Sequence, residues 1–232
     1  MLTPELQAVL DGESEGCILC ADCLDVLPLM PDGCVDAVVT DPPYGITYSS
    51  AHGASWKNTC IAGDSDTRVR DSALGYFKRE PVAAFGTWKT PPIADTRGVL
   101  VWDKGSASGM GDLSFPWKLS WELIYVRGDG WSGRRDEGVL RGPTLITWES
   151  KGRLHPHEKP VWLIQRLLER LPLANVILDP FVGSGTTCVA AKRLGRRYIG
   201  IEISEKYAEV ARNRLANTER PLFTKETQDA DP

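Results

Sequence analysis

The chain lacks the marks of several protein classes. No stretch approaches the roughly 20 consecutive apolar residues that a membrane-spanning helix needs, so no bilayer partner is expected. The first 16 residues, MLTPELQAVLDGESEG, carry acids where a secretory leader would carry bases. Together these omissions predict a cytoplasmic protein. The six cysteines come without a secretory context and read as reduced thiols rather than a disulfide framework. Internal repeats, low-complexity tracts and long linkers are missing as well. What is present suits a globular chain with one sizeable core: 42% hydrophobic and 25% charged residues over 232 positions, with a mean hydropathy of -0.23. The simplest division is a single domain over 1–232 with a small insert at 128–156.

Basic residues are absent from one region in particular. Residues 1–41 hold nine of the 31 acids and no Lys or Arg. The remainder therefore has 22 acids against 27 bases, and a formal charge of -4 does not exclude a nucleic-acid partner.

Short apolar runs at 18–21, 35–40, 99–103, 123–127, 175–179 and 198–202 read as strands. A helix is expected over 160–171, with Pro160 in its first position and Ile164, Leu167, Leu168 and Leu171 on one face. Two more are expected, over 186–194 before Gly195 and from a Ser204 cap to about residue 215. Strands alternating with helices predict an α/β fold, its sheet mostly parallel with helices on both faces. Residues 45–80 are rich in Gly, Ser, Asp and Thr. Residues 128–156 are Gly-rich and basic, with Arg134, Arg135, Arg141, Lys151 and Arg153. Both stretches read as long loops beside the chemistry, where a partner would be gripped.

Two motifs sit at strand ends. In Asp179-Pro180-Phe181-Val182-Gly183-Ser184-Gly185-Thr186-Thr187 the glycines permit a tight turn, and the helix start offers unpaired N–H groups to an anionic ligand. Such a turn alone is common. Glu202, at the tip of the next strand, is placed to accept bonds from ribose hydroxyls, and the pair favours a nucleoside-containing cofactor. A nicotinamide fingerprint would need glycine where Cys188 stands, and no phosphate-binding GxxxxGK[ST] loop exists, so a smaller anion such as an amino-acid carboxylate fits better. In Asp41-Pro42-Pro43-Tyr44-Gly45 the prolines remove N–H donors and leave carbonyls and a carboxylate as acceptors beside an aromatic ring. That cradle suits a planar amine.

With these motifs the chain resembles the S-adenosylmethionine-dependent DNA amino-methyltransferases, in the permuted order called the beta class. DPPYG at 41–45 precedes HPHEKP at 155–160 and DPFVGSGTT at 179–187. Asp22-Cys23, Val101-Trp102-Asp103-Lys104-Gly105 and the run from Arg196 to Glu202 match as well. The resemblance implies a Rossmann-like methyltransferase sheet with permuted motif order, and S-adenosylmethionine as cofactor. It assigns the methionine end of that cofactor to His155, Lys159, Pro160, Asp179, Phe181, Gly183, Ser184, Gly185, Thr186 and Thr187. Glu202 then meets the ribose and Asp22 the adenine amino group, with Cys23 also at the cofactor. Asp41, Pro42, Pro43 and Tyr44 become catalytic, and Asp in the motif's first place tilts the target toward adenine N6 rather than cytosine N4. The expected substrate is a DNA duplex with one base flipped out, in a bacterial or phage-encoded system of the restriction-modification kind.

The resemblance sets the remaining signals in order. Arg134, Arg135 and Arg141 are expected to contact phosphates, and the shortness of the insert predicts a short or relaxed recognition sequence. Trp56 and Trp131 are candidates for base contacts. Cys17, Cys20 and Cys23 are spaced like metal ligands, but a strand would send Cys17 and Cys20 to opposite faces, so no metal is expected. RNA as substrate, a homodimer, and an inactive regulator that binds the cofactor remain open alternatives.

Overall fold

A computed structural model of the chain describes residues 2–46, 62–105, 114–142 and 158–220. His155, Pro156, His157, Trp56, Lys151 and Arg153 lie outside the described residues. Eight strands form one sheet in the order β1-β8-β7-β2-β3-β5-β4-β6. They are β1 (Gly16–Cys20), β2 (Ala37–Thr40), β3 (Val82–Gly86), β4 (Gly98–Asp103), β5 (Trp121–Arg127), β6 (Val139–Arg141), β7 (Val176–Asp179) and β8 (Arg197–Glu202). Only β5 runs against the rest, pairing antiparallel with β3 and β4.

Both faces of the central strands are covered, which explains why their sequences are apolar without alternation. Ala37 and Val39 of β2, Ala83 and Phe85 of β3, and Ile177 of β7 pack on one side. There they meet α4 (Val161–Leu168), α5 (Thr186–Arg193) and α6 (Glu205–Ala216). Val38, Val82, Ala84, Val176 and Leu178 pack on the other side, under α1 (Pro4–Leu10), α2 (Cys23–Val26) and α3 (Arg68–Leu74). Full burial of each Val, Leu, Ile or Phe among them contributes about 1.5–3 kcal/mol.

Several elements differ from the sequence reading. β3 and β6 are strands that it lacks, and α3 lies inside the stretch read as loop. In α1, Thr3 supplies the N-cap, its Oγ1 accepting the Leu6 N–H at 3.3 Å. Ser204 holds the N-cap position of α6 but makes no side-chain cap bond, and its N–H donates to Glu202. Pro160 is the N-cap of α4 rather than its first helical residue, and that helix ends at Leu168.

Chain order matters for the site. From β1 at one edge the chain passes directly to β2 in the middle, and β8 and β7, which come last, fill the gap. The crossover from β2 leads to β3 on one side and that from β7 leads to β8 on the other. β2 and β7 therefore flank a switch point, where open α/β sheets form a crevice beyond the carboxyl ends of their strands.

Candidate active site

The crevice is present as a cavity of about 510 Å³. Asp41, Pro42, Pro43 and Tyr44 leave β2 into it, and Pro180, Phe181 and Gly183 leave β7. Asp22 and Cys23 beyond β1, Glu202 at the end of β8, and Thr87, Trp88 and Lys89 beyond β3 complete much of its wall. Trp121 and Glu122 join them because β5 is antiparallel and presents its starting end at this edge.

The two tips are bonded together although 139 residues separate them in sequence: Thr40 Oγ1 donates to Asp179 Oδ1 at 2.6 Å. Asp179 also accepts the Phe181 N–H at 3.1 Å and a bond from Thr187. Burial pushes its carboxyl up to about 6 despite these bonds, with the Asp41 charge adding to the rise. Asp179 is thus turned inward, holding the turn and β2 in place, and it is absent from the cavity wall.

Asp41 is the most heavily engaged side chain at the mouth of β2. Its Oδ1 accepts the Tyr44 hydroxyl at 2.6 Å and its Oδ2 lies 2.7 Å from Lys159 Nζ. Lys159 also stands 3.1 Å from Glu122 Oε2 and donates to Tyr44 Oη at 3.3 Å. Burial alone would lower the Lys159 ammonium, but the Asp41 and Glu122 carboxylates outweigh it and hold it above its usual range. For Glu122, burial acts upward, yet Lys159 and Lys104 together pull it down to about 2. Burial beside Asp41 keeps the Tyr44 phenol well above its ordinary value, so it stays a donor. An ionised carboxylate has about four lone-pair positions, so Asp41 can accept further N–H bonds with Tyr44 and Lys159 in place.

Gly45 closes the motif for two reasons. Its φ is +73°, and a Cβ there would come within 2.6 Å of the Asp66 carbonyl carbon. Its N–H donates to the buried Asp64 carboxylate at 2.8 Å, which fixes the loop. On the opposite wall Glu202 accepts the Gly183 N–H at 2.9 Å and the Ser204 N–H at 3.0 Å. Burial raises its carboxyl above the ordinary range, with those N–H groups partly restoring it. Asp22 caps α2 through the Leu24 N–H at 2.9 Å.

Sequence comparison settles the family at this point. The sequence profile of the N6/N4 DNA methylases matches residues 101–213. YubD of Escherichia coli strain K12, described as a methylase, is 33% identical over 220 residues, 87% of this chain and 90% of that one. The chain belongs to the DNA methylase family. Within that family, the type II methyltransferase M2.DpnII of Streptococcus pneumoniae is 46% identical over 84 residues, 36% of this chain and 31% of that one. Among solved structures, the M1.HpyAVI–SAM complex superposes with a TM-score of 0.59 at 21% identity, over 86% of this chain and 100% of that one. The cytosine-N4-specific PvuII DNA methyltransferase gives 0.55 at 15% identity, over 93% and 91%. At such identities the likeness concerns the fold: this is a Rossmann-like methyltransferase sheet.

Not every residue singled out in this methylase's sequence reaches the cavity. Ser184, Gly185, Thr186 and Thr187 are absent from its wall. Arg214 of α6 instead donates to the Ser184 carbonyl at 3.3 Å and Thr186 Oγ1 at 3.0 Å. Arg214 also holds Glu158 at 2.7 Å, which positions Lys159 and Pro160 at the start of α4. Arg141 ends β6 at the cavity's edge of the sheet, paired with Asp103 at 3.2 Å. Arg134 and Arg135 lie away from the cavity wall. They follow the far end of β5, at the opposite edge, where Asp129 N–H bonds the Arg79 carbonyl and Ser132 N–H the Arg170 carbonyl. Trp131 lies there too, its Nε1 donating to the Arg127 carbonyl at 2.9 Å.

The sequence reading missed Glu122, Lys104 and Asp64. A signal existed for the first: an acid in the apolar run WELIYVR requires a buried partner if the strand is central. Lys104 and Lys159 are that partner, the former in very close contact. Cys17 and Cys20 do fall on opposite faces of β1, Cys23 is buried in α2, and among the described residues no group of three His, Cys, Asp or Glu could hold a metal.

Proposed function

We propose that this DNA methyltransferase acts on the exocyclic N6 of an adenine swung out of a DNA duplex, with S-adenosylmethionine as methyl donor. The observation that carries the reading is that Asp41, with its partners Tyr44 and Lys159, faces the same cavity as Glu202, Phe181 and Gly183.

The residues present fit the donor. The cavity has room for a nucleoside-sized ligand. Glu202 retains acceptor capacity for ribose hydroxyls, Asp22 for an adenine amino group, and Phe181 offers an apolar ring. When bound, S-adenosylmethionine supplies a methyl group activated by a sulfonium.

The chain's own task concerns the amine. An exocyclic amine is a poor nucleophile because its lone pair is delocalised into the ring. Accepting its two N–H groups at the Asp41 carboxylate and the Pro42 carbonyl draws the nitrogen toward tetrahedral geometry and localises that pair. Asp41 is also the nearest base for the proton the amine must lose. Positioning supplies much of the remaining rate. Flipping the base costs about a few kcal/mol, against which stacking on an aromatic face such as Tyr44 returns roughly 1–3 kcal/mol.

Adenine is favoured over cytosine by Asp in the first place of the DPPY motif, a preference that rests on resemblance. The alignments with M2.DpnII and M2.LlaDCHI, both type II methyltransferases, support a restriction-modification setting. The test is to incubate the protein with methyl-labelled S-adenosylmethionine and duplex DNA, digest the DNA and identify the labelled nucleoside. Label in 6-methyladenine is expected. Label in 4-methylcytosine would move the target to the other amine, and the absence of label would overturn the transferase reading.

A further inference from the structure

The mouth of the cavity carries an unusual surface. Trp88 is 59% exposed, Leu119 47% and Ile203 56%, and all three line the opening. Just before Leu119 in the chain, Phe115 is 49% and Trp117 69% exposed, their rings 5.6 Å apart and tilted by 54°. Five of the nine exposed large apolar side chains among the described residues therefore gather at or beside one opening. Large exposed rings in such a patch mark an interaction site.

Within the two segments that carry these rings the charges have one sign. The segments TWKTPP (87–92) and SFPWKLSW (114–121) contain lysine and no acid. Lys118 is exposed, and Lys89 lies on the cavity wall with its Nζ 6.0 Å from the Trp88 ring. By contrast, Arg134 and Arg135 sit at the far edge of the sheet among Asp129, Asp136 and Glu137.

We propose that this rim is the surface that grips DNA: Phe115 and Trp117 stack on bases flanking the extruded target, while Lys89 and Lys118 meet the adjoining phosphates. The inference rests on the reading that the substrate is DNA. Three features select that occupant. Aromatic faces accept any base by stacking, whatever the sequence. Two rim segments that carry lysine and no acid complement a polyanion. The rim is also continuous with the cavity that must receive the flipped base. An apolar protein partner would satisfy the rings but not the strip of like charge.

The test measures affinity for a random-sequence duplex and for the matching single strand by fluorescence anisotropy, in the wild type, Phe115→Ala, Trp117→Ala and an Arg134→Ala/Arg135→Ala double variant. Each aromatic truncation is expected to weaken DNA binding about tenfold. Lys89→Gln and Lys118→Gln should each flatten the salt dependence by about one unit of slope. The arginine double variant should change affinity less than about twofold. S-adenosylmethionine binding, measured by calorimetry, should be retained by both aromatic variants, which shows that they fold. Wild-type DNA affinity in both aromatic variants would overturn the proposal, as would a large loss confined to the arginine variant. A Trp117→Ala protein that changes its sedimentation but not its DNA affinity would assign the rim to a second copy of the chain and overturn it too. These outcomes leave the transferase reading standing. That reading falls separately, if the wild type transfers no label to DNA.

Discussion

Replacing Glu122 by Gln removes one charge from the chain of groups running Lys104, Glu122, Lys159, Asp41, and its effect can be worked out from the structure. In the fold the Glu122 carboxyl is pulled from its ordinary 4.5 to about 2 by Lys159 and Lys104, a net result after burial has acted against them. A depressed carboxyl stabilises the fold fully above its unfolded value, and the contribution is lost as pH falls toward the folded value. The expected loss in Glu122→Gln is therefore about 3 kcal/mol at neutral pH, shrinking to about 2 kcal/mol near pH 3.5. Equilibrium urea unfolding of wild type and variant at both pH values reads the difference directly, because other titrating groups cancel. The close contact of Lys104 with Glu122 and the 3.1 Å separation from Lys159 require such a loss. A difference under about 1 kcal/mol at neutral pH, or one that does not shrink on acidification, would refute the reasoning.

Asp179 predicts the opposite trend. Burial raises its carboxyl from 3.8 to about 6, so the folded chain bears a cost that is absent below the lower value and full above the higher one. Asp179→Asn keeps an acceptor for Thr40 and should gain up to about 3 kcal/mol relative to wild type as pH rises from about 4 to 7. A relative stability that stays flat across that range, read from urea midpoints, would contradict it. Gly45→Ala must place a side chain at φ +73° against the Asp66 backbone, and it should lose more than about 2 kcal/mol of stability. Methyl transfer should fall with it, since Tyr44 is the preceding residue; an unchanged urea midpoint would show that the loop relaxes freely.

What the sequence made legible follows from where each element lies. β2, β7 and the middle of β8 are buried on both faces, so their runs are largely apolar. β3 is as deeply buried, but Ala83, Ala84 and Gly86 give it little hydrophobic weight. β6 has only three residues and becomes a strand through its pairing with β4. α3 was hidden by the Gly, Ser, Asp and Thr around it, although Ala73 and Leu74 face the core. Motifs contiguous in sequence pointed to the two strand tips because a strand end displays neighbouring residues together. Glu122, Lys104 and Asp64 reach the site through tertiary packing: the acid in the apolar run of β5 was a local sign, but its pairing with Lys104 depends on β4 lying beside β5. The charge of Arg134 and Arg135 is local in the same way, whereas their placement depends on β5 running antiparallel, which sends the following loop away from the cavity.

The most direct test of the central claim is a paired titration and single-turnover measurement on Asp41→Ala. If the tips of β2 and β7 serve the amine and the donor separately within one cavity, the variant binds S-adenosylmethionine within about twofold of wild type and transfers no methyl group to DNA. Persistent transfer, or loss of donor binding, would contradict the account.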